Sequence, residues 1–443
     1  MLIAPGRLMG PARLPSGEMS ASAAALLASS GLGSESLIYH GDWANDRHWL
    51  MGRAYGAYNA VPGLTYTRSG SRFATNNAGV LVPFAANIPR ITDRGIRIES
   101  GLTNYGTFPA LGSGWAASSW SFTISASSIV SPDGQLAHKL VRDNSGVAGR
   151  QPRVSAMPVT AGDVVTTDIY IAGADGITTG IVGIYATNGW GLAANSTAEI
   201  VSGPGTLNNV QPSMWRVEGL SEVALTRLRI RRTITEGDGA TADLYYYAHT
   251  SSAFTASAGV IGSPVMFYKG SVPGADPVPN AAPSTAAAVV ADSLYITGLD
   301  HNWPVTLFAE VELLTGFSAA QIVMQYDATS IADRVFNYRS VANSFRGITT
   351  AVGVNTSDTG NRAITAPLIA RVVSRHADKV RLAITGLAAV EGAAGAVPLG
   401  LNRLLIGQAY TGGSASLEGY LKSVALFAGA PSDAALDSMV VMP

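Results

Sequence analysis

Short runs of alternating apolar and polar residues recur along this chain, and turns rich in glycine, proline, asparagine or aspartate separate them. Around Leu228 and Ile230, for example, apolar positions alternate with arginines, as in a strand that has one face on a core. Similar runs follow one another at short spacing between Gly101 and Tyr268, and again after Ala291. This pattern predicts an all-β fold that contains two β-sandwich domains.

The segments outside these runs differ in composition. Residues 1–35 contain no aromatic side chain and predict an extended N-terminal arm, which either docks on a partner or folds back on its own domain. Residues 36–100 are dense in aromatic and apolar side chains and predict a β connector, which either stands apart or completes one of the sandwiches. The prolines of residues 271–285 predict an extended linker. The predicted order is an arm at 1–35, a connector at 36–100, a jelly roll at 101–270, a Pro-rich linker at 271–285 and a second sandwich at 286–443.

A single helix is predicted near the C-terminal end. Pro431 stands before Ser432, which is a residue type that caps helices, and Leu436 and Met439 follow three residues apart. These signals predict one closing helix whose first turn is capped by Ser432.

Composition narrows the range of functions. The net charge of −1 argues against nucleic-acid binding, because the chain has no long-range positive field. The absence of cysteine excludes disulfides and thiolate metal sites. No run approaches the roughly 20 apolar residues of a membrane helix, so no membrane insertion is expected.

The stretch from Leu64 to Tyr105 carries a series of short motifs. In order they are Tyr66-Thr-Arg-Ser69, Gly79-Val-Leu81, Ala86-Asn-Ile-Pro-Arg90, Arg94-Gly95, Ile98-Glu99 and Thr103-Asn104. Their order and spacing resemble a segment found in tailed-bacteriophage virion proteins, where β-sandwich modules follow it. The resemblance brings no catalytic chemistry with it.

Two further stretches extend this resemblance, and a third departs from it. Ser131-Pro-Asp-Gly134, with Ala137-His-Lys-Leu-Val141, resembles the carbohydrate-binding-type jelly rolls of phage fibre proteins. The residues from Leu401 to Gly407 and from Leu417 to Leu421, with the closing helix, resemble concanavalin-like (laminin-G-like) domains of phage tail proteins. In that family an Arg-Ala-Ala-Asp follows the linker, and here Val290-Ala291-Asp292 stands in its place without the arginine.

The resemblance implies a structural virion protein, a tail fibre, spike or baseplate component that binds host-surface glycan. Such a protein is assembled in the host cytoplasm and exposed on the particle exterior. It is expected to form a homotrimer and to bind other virion proteins through its arm. A head fibre or capsid decoration protein is one alternative. A polysaccharide depolymerase is another, because Glu310 and Glu312 are two apart on a predicted strand and would share one face.

No enzyme, cofactor or metal site is predicted, since the six histidines are scattered and the Gly237-Asp-Gly239 turn is a weak calcium signal. Residues 36–58 are dense in aromatic side chains, which form either a small core or a sugar-stacking platform, with the core favoured. The predicted glycan-binding residues lie elsewhere. They are Trp190, on the Asn188–Gly191 loop, and the arginine row formed by Arg227, Arg229 and Arg231 on one face of a strand.

Overall fold

The structure is a computed structural model, and it describes most of the chain. The described residues are 18–99, 102–106, 122–142, 153–248, 258–270, 287–289, 291–301, 303–313, 320–340, 344–364, 369–409 and 416–441. The predicted Pro-rich linker and residues 1–17 of the predicted arm lie outside these ranges.

Residues 18–99 form one helix and eight short strands. These are α1 (Ala21–Ser30), β1 (Leu37–Asp42), β2 (Arg47–Leu50), β3 (Arg53–Tyr55), β4 (Leu64–Thr67), β5 (Arg72–Thr75), β6 (Leu81–Phe84), β7 (Arg90–Thr92) and β8 (Gly95–Ile98). Strands β5 and β6 form a hairpin of their own.

The strands of the first sandwich follow in the chain. They are β9 (Leu102–Asn104), β10 (Phe122–Val130), β11 (Leu136–Arg142), β12 (Arg153–Pro158), β13 (Val164–Gly173), β14 (Thr179–Ala186), β15 (Ser196–Ser202), β16 (Thr206–Gln211), β17 (Met214–Glu218), β18 (Thr226–Thr233), β19 (Thr241–Ala248) and β20 (Ala258–Lys269). One sheet has the order β10-β11-β20-β13-β18-β15, and the other has the order β12-β19-β14-β17-β16.

Strand β21 (Ala287–Val289) pairs with β9, which pairs with β20, so it belongs to the larger sheet of the first sandwich. The remaining elements complete the second sandwich. They are β22 (Ser293–Thr297), β23 (Val305–Leu313), β24 (Gln321–Asp327), β25 (Arg334–Ser340), β26 (Ser344–Ala351), β27 (Val354–Asp358), β28 (Arg362–Ala363), β29 (Ile369–His376), β30 (Val380–Ile384), β31 (Leu387–Glu391), β32 (Arg403–Ile406), β33 (Gly419–Ala428) and α2 (Asp433–Met439). The all-β prediction is confirmed, because the described chain is built almost entirely from antiparallel strands.

Each sandwich has its own core between two sheets. In the first sandwich, Ile169 of β13 and Leu228 of β18 face Val182 and Ile184 of β14. The second core is larger and includes side chains of both the N-terminal strands and the C-terminal ones. The alternation predicted around Leu228 and Ile230 is confirmed, because both side chains are fully buried in the first core.

The prediction of a separate connector at 36–100 is wrong. Strands β1 and β8 both pair with β33, and β4 pairs with β22, so these N-terminal strands are part of the second sandwich. The sheets there have the orders β3-β2-β1-β33-β23-β29-β30-β31 and β27-β26-β25-β24-β32-β22-β4. Strands of three to six residues cannot bury their apolar faces alone, and they do so against β33 and β22. The first sandwich is therefore inserted into the second.

The arm prediction left two alternatives, and the described part of the arm folds back on its own domain. Helix α1 begins at Ser20, whose Oγ accepts the N–H of Ala23 at 3.2 Å, and ends at Gly31 in the left-handed region. Ala23 and Leu26 pack in one cluster with α2 residues on the outer face of the larger sheet. The closing helix is confirmed, because Ser432 Oγ accepts the N–H of Ala435 at 3.2 Å.

The chain enters and leaves the first sandwich at one place. Strands β9 and β21 pair antiparallel, with Leu102 opposite Val289. Just beyond them, Glu99 O accepts the N–H of Asp292 at 3.0 Å. The two crossing segments therefore lie side by side at the junction of the two sandwiches.

Candidate functional site

The segment that resembles phage virion proteins supplies a buried ion-pair network at this junction. Its arginines are at most 2% exposed, and they surround two carboxylates that are equally buried. We name the following six residues the junction network: Arg68, Arg72, Arg90, Arg97, Glu99 and Asp292.

Arg90 is the centre of the junction network. Its Nη1 lies 2.5 Å from Glu99 Oε2, and its Nη2 lies 2.5 Å from Asp292 Oδ2. Arg72 and Arg97 contact Glu99 from other sides, at 3.0 and 2.5 Å. One guanidinium thus joins a carboxylate that precedes the first sandwich to a carboxylate that follows it.

Tyr66 and Arg68 also contact Asp292. The Tyr66 hydroxyl donates to Asp292 Oδ1 and accepts from Arg68 Nη1 at 3.1 Å. Burial, together with the Asp292 charge, raises the pKa of Tyr66 above its usual range, so the phenol stays protonated and acts as the donor. Asp292 therefore has ion-pair partners although no arginine stands shortly before it in the sequence.

A second group of interest lies on the first sandwich, on the outer face of the five-stranded sheet. Tyr185 of β14 and Tyr245 of β19 alternate with the core residues Ile184 and Leu244, so their rings point away from the core. The Trp190 ring meets both edge-on, with centroids 5.0 Å from Tyr185 and 5.7 Å from Tyr245. We name Tyr185, Trp190 and Tyr245 the aromatic cluster, and all three side chains are half-buried.

Gly183 makes room for the Trp190 ring. A Cβ built on Gly183 would lie 2.6 Å from Trp190 Cζ3, closer than real side chains allow. Gly183 also stands opposite Tyr245 in the sheet register. Trp190 was predicted as an exposed loop residue, and the structure instead packs one side of it against the sheet.

Buried polar contacts fix the loop that carries Trp190. Arg232 is 1% exposed, and its Nη1 donates to the carbonyl oxygens of Gly189 and Ile184 at 2.8 and 3.0 Å. Its Nη2 donates to Asp238 Oδ1 at 2.6 Å. Asp238, which belongs to the weak calcium signal, is thus engaged as the partner of an arginine.

The arginine row lies on a different face, the outer side of the sheet that contains β18. Arg229 is 5% exposed and donates from Nε and Nη2 to the two oxygens of Asp168, at 3.0 and 3.1 Å. Arg227 Nε lies 3.4 Å from the same carboxylate, and Arg231 Nη2 lies 3.3 Å from Glu199. The prediction of three projecting guanidinium groups is therefore wrong for Arg229, because its ion pair with a buried aspartate holds it against the sheet.

Glu310 and Glu312 do share one face of β23, but both carboxylates are engaged. Glu310 contacts Arg371 at 2.9 Å and Lys422 at 3.1 Å. Glu312 accepts two hydrogen bonds from the Arg94 guanidinium. This arrangement is that of a charged outer face and lends no support to a pair of hydrolytic acids.

The aromatic residues of 36–58 mostly belong to the interior. Tyr39 and Trp43 are fully buried in the second core, and Trp49 is buried beneath the helices. The sugar-platform alternative is therefore wrong for these three rings. Within the described ranges, no group of three histidine or acidic side chains could hold a metal ion.

Comparison of the chain with protein-family models and with curated proteins finds no match. None of the helices that the structure describes is long and apolar enough to cross a bilayer.

The sequence indicated Trp190 as a candidate but not its neighbours Tyr185 and Tyr245, nor Arg232. The alternation of side chains along a strand predicts that Tyr185 points away from the face of Ile184, and that Tyr245 points away from the face of Leu244. Their proximity depends on the register in which Gly183 faces Tyr245, and that register is a tertiary feature.

Proposed function

We propose that this chain is a structural component of a tailed-phage or phage-like particle, of the fibre, spike or baseplate kind. On this proposal the first sandwich contacts glycan on the host surface through the aromatic cluster. Three stretches of sequence resemblance support the virion assignment. A further support is that Arg68, Arg90 and Glu99 of the motifs all belong to the junction network. A common structural role at the junction would account for a sequence pattern that this chain shares with phage virion proteins.

The observation that carries the glycan proposal is the geometry of the aromatic cluster. Sugar rings present apolar C–H faces that stack on aromatic side chains, and nearby polar groups fix their orientation. Tyr185 and Tyr245 stand on neighbouring strands, and the Arg232–Asp238 pair holds the Trp190 loop. A rigid set of half-exposed rings is suited to binding because little side-chain freedom is lost when a ligand binds.

The arginine row would be at most a second contact site for glycan. Arg227 and Arg231 are half-buried and lie on the sheet opposite the aromatic cluster, so they would contact an anionic glycan at a separate place. Arg229 is excluded from direct contact by its pairing with Asp168.

Adsorption to host cells and binding to immobilised host glycans test the proposal. Replacing Tyr185 and Tyr245 by Ala, singly, should weaken binding at least about tenfold while the fold is retained. Tyr55→Ala is the matched control, because Tyr55 is also a half-buried tyrosine on a strand but belongs to the second sandwich. Equal binding by all three variants and the wild type would refute the glycan site.

A further inference from the structure

Five aliphatic side chains are exposed together at one end of the second sandwich. They lie in the β24–β25 loop, in and next to the β26–β27 turn, and in the segment between β31 and β32. Val352 is 85% exposed and Leu399 is 76% exposed. We name the set the apolar tip: Ile331, Val352, Val354, Val397 and Leu399.

One carboxylate ties the three connections together. Asp333 Oδ1 accepts the backbone N–H groups of Val352 at 3.4 Å and of Leu399 at 3.3 Å. Ala332 O accepts the N–H of Gly353 at 2.8 Å. The three connections that carry the apolar tip are therefore hydrogen-bonded to one another.

Val352 adopts a backbone conformation that its side chain disfavours. Its φ is +52° and that of Gly353 is +78°, in a two-residue turn between Ala351 and Val354. Turns with two positive φ values favour Asn-Gly, and a β-branched residue rarely occupies the first position. Here a strained turn presents an aliphatic group to solvent, and strain of this kind commonly marks a functional contact.

The composition of the apolar tip favours a protein partner over a lipid one. Of residues 328–333, 351–355 and 392–402, only Asp333 is charged, and none is lysine, arginine, tyrosine or tryptophan. Surfaces that lie on membranes use lysine, arginine and tryptophan, whereas the centres of protein interfaces are apolar and depleted in charge.

The size of the patch fits a contact between two copies. Five aliphatic side chains at these exposures present roughly 500 Å², which is within the range of the largest functional patches on monomers. Two such patches face to face would bury about 1,000 Å², the lower limit for a specific interface.

We propose that the apolar tip is a self-association surface, and that its partner is the same surface of a second copy of this chain. This contact is separate from the N-terminal arm and from the aromatic cluster. Association through it requires no rearrangement of the described fold, because the side chains already stand exposed.

Analytical ultracentrifugation of the full chain over a concentration series tests this proposal. The wild type should associate, and Val352→Asn should raise the dissociation constant at least about tenfold. The same variant should melt at or above the wild-type temperature, because Asn-Gly suits the turn. Leu399→Ser, which leaves that turn unchanged, should weaken association in the same direction.

Val223→Asn is the matched control, since Val223 is 84% exposed on the first sandwich, far in sequence from the tip. Its association constant should equal that of the wild type. A wild type that stays monomeric throughout the series, or equal constants for Val352→Asn and Val223→Asn, would overturn the proposal. So would a Val352→Asn variant that loses only its binding to phosphatidylcholine vesicles, because the tip would then be a lipid contact.

Discussion

The two sandwiches bury arginine in different ways. In the second sandwich, the junction network brings guanidinium groups from separate strands around Glu99 and Asp292, and Arg90 and Asp292 are 202 residues apart in the chain. In the first sandwich, the arginine row occupies alternate positions of one strand, and of its three arginines only Arg229 is buried. The junction network joins segments that are distant in the chain, whereas the arginine row lies along a single strand. Removing an arginine should therefore have very different consequences in the two places.

The largest effect is expected at the junction network. Arg90→Ala would leave Glu99 and Asp292 buried without their shared partner, which should cost about 3–5 kcal/mol of unfolding free energy. Differential scanning calorimetry and guanidinium chloride unfolding measure this loss. A cost below about 1 kcal/mol, as for a surface ion pair, would show that the network is not a structural centre.

Acid should weaken the second sandwich through two buried histidines. Burial lowers the pKa of His40 to about 4 and that of His376 to about 3, so each stays neutral in the folded state. The unfolded chain takes up these protons near pH 6.5, and the free energy of unfolding therefore falls as the pH drops from 6.5 toward 4. The expected loss is up to about 3 kcal/mol for each histidine.

The pH dependence of the melting temperature checks this, with His376→Gln as the comparison. Gln can still bond to Thr349 and Ser374, the two hydroxyl partners of His376, but takes up no proton. The variant should lose less stability than the wild type between pH 7 and pH 4. Identical pH profiles for the variant and the wild type would show that protonation of His376 does not destabilise the fold.

Within the arginine row the effect should follow burial. Arg229→Ala should cost about 2 kcal/mol, less than Arg90→Ala, because Arg227 remains beside the buried carboxylate of Asp168. Arg231→Ala should cost less than about 1 kcal/mol, because its pair with Glu199 is partly exposed. Urea unfolding of the two variants measures the difference. Equal losses of unfolding free energy would show that burial does not determine how much these arginines stabilise the fold.

A similarly small effect is expected in the helical layer, which among the described residues belongs only to the second sandwich. Ser432→Ala removes the side-chain acceptor of the Ala435 N–H at the start of α2 and should cost about 1 kcal/mol. Ser432→Asp, which keeps an acceptor at the cap, should restore most of that stability. Equal melting temperatures for the Ala variant and the wild type would show that the cap contributes nothing.

The strand content, the alternation at Leu228 and Ile230 and the closing helix could all be predicted, because period-two patterns and capping residues are local signals. Helix α1 could not, since its apolar residues are mostly alanine and its buried side is set by contact with α2. The residues of the junction network were noticed through resemblance, but nothing in the sequence indicates that Arg90 meets Asp292.

The placement of residues 36–99 was the main error, and it has a physical origin. Strands β1, β4 and β8 have four to six residues each, and their partners lie more than 200 residues away in the chain. Short strands carry no information about which distant strand they join. The candidate site was incomplete for the same reason, because Tyr185, Trp190 and Tyr245 meet only through the sheet register.

The central claim is that the second sandwich is assembled from two parts of the chain that flank the first. Calorimetry of three proteins tests it most directly: residues 284–443 alone, residues 18–443 with 102–289 replaced by a short Gly-Ser turn, and the full chain. Because Glu99 and Asp292 are hydrogen-bonded neighbours, the turn can replace the whole insertion, and that fragment should melt cooperatively. The fragment 284–443 lacks β1, β4 and β8 and should show no cooperative transition. A cooperative melt of 284–443 at the temperature of the full chain would contradict the account.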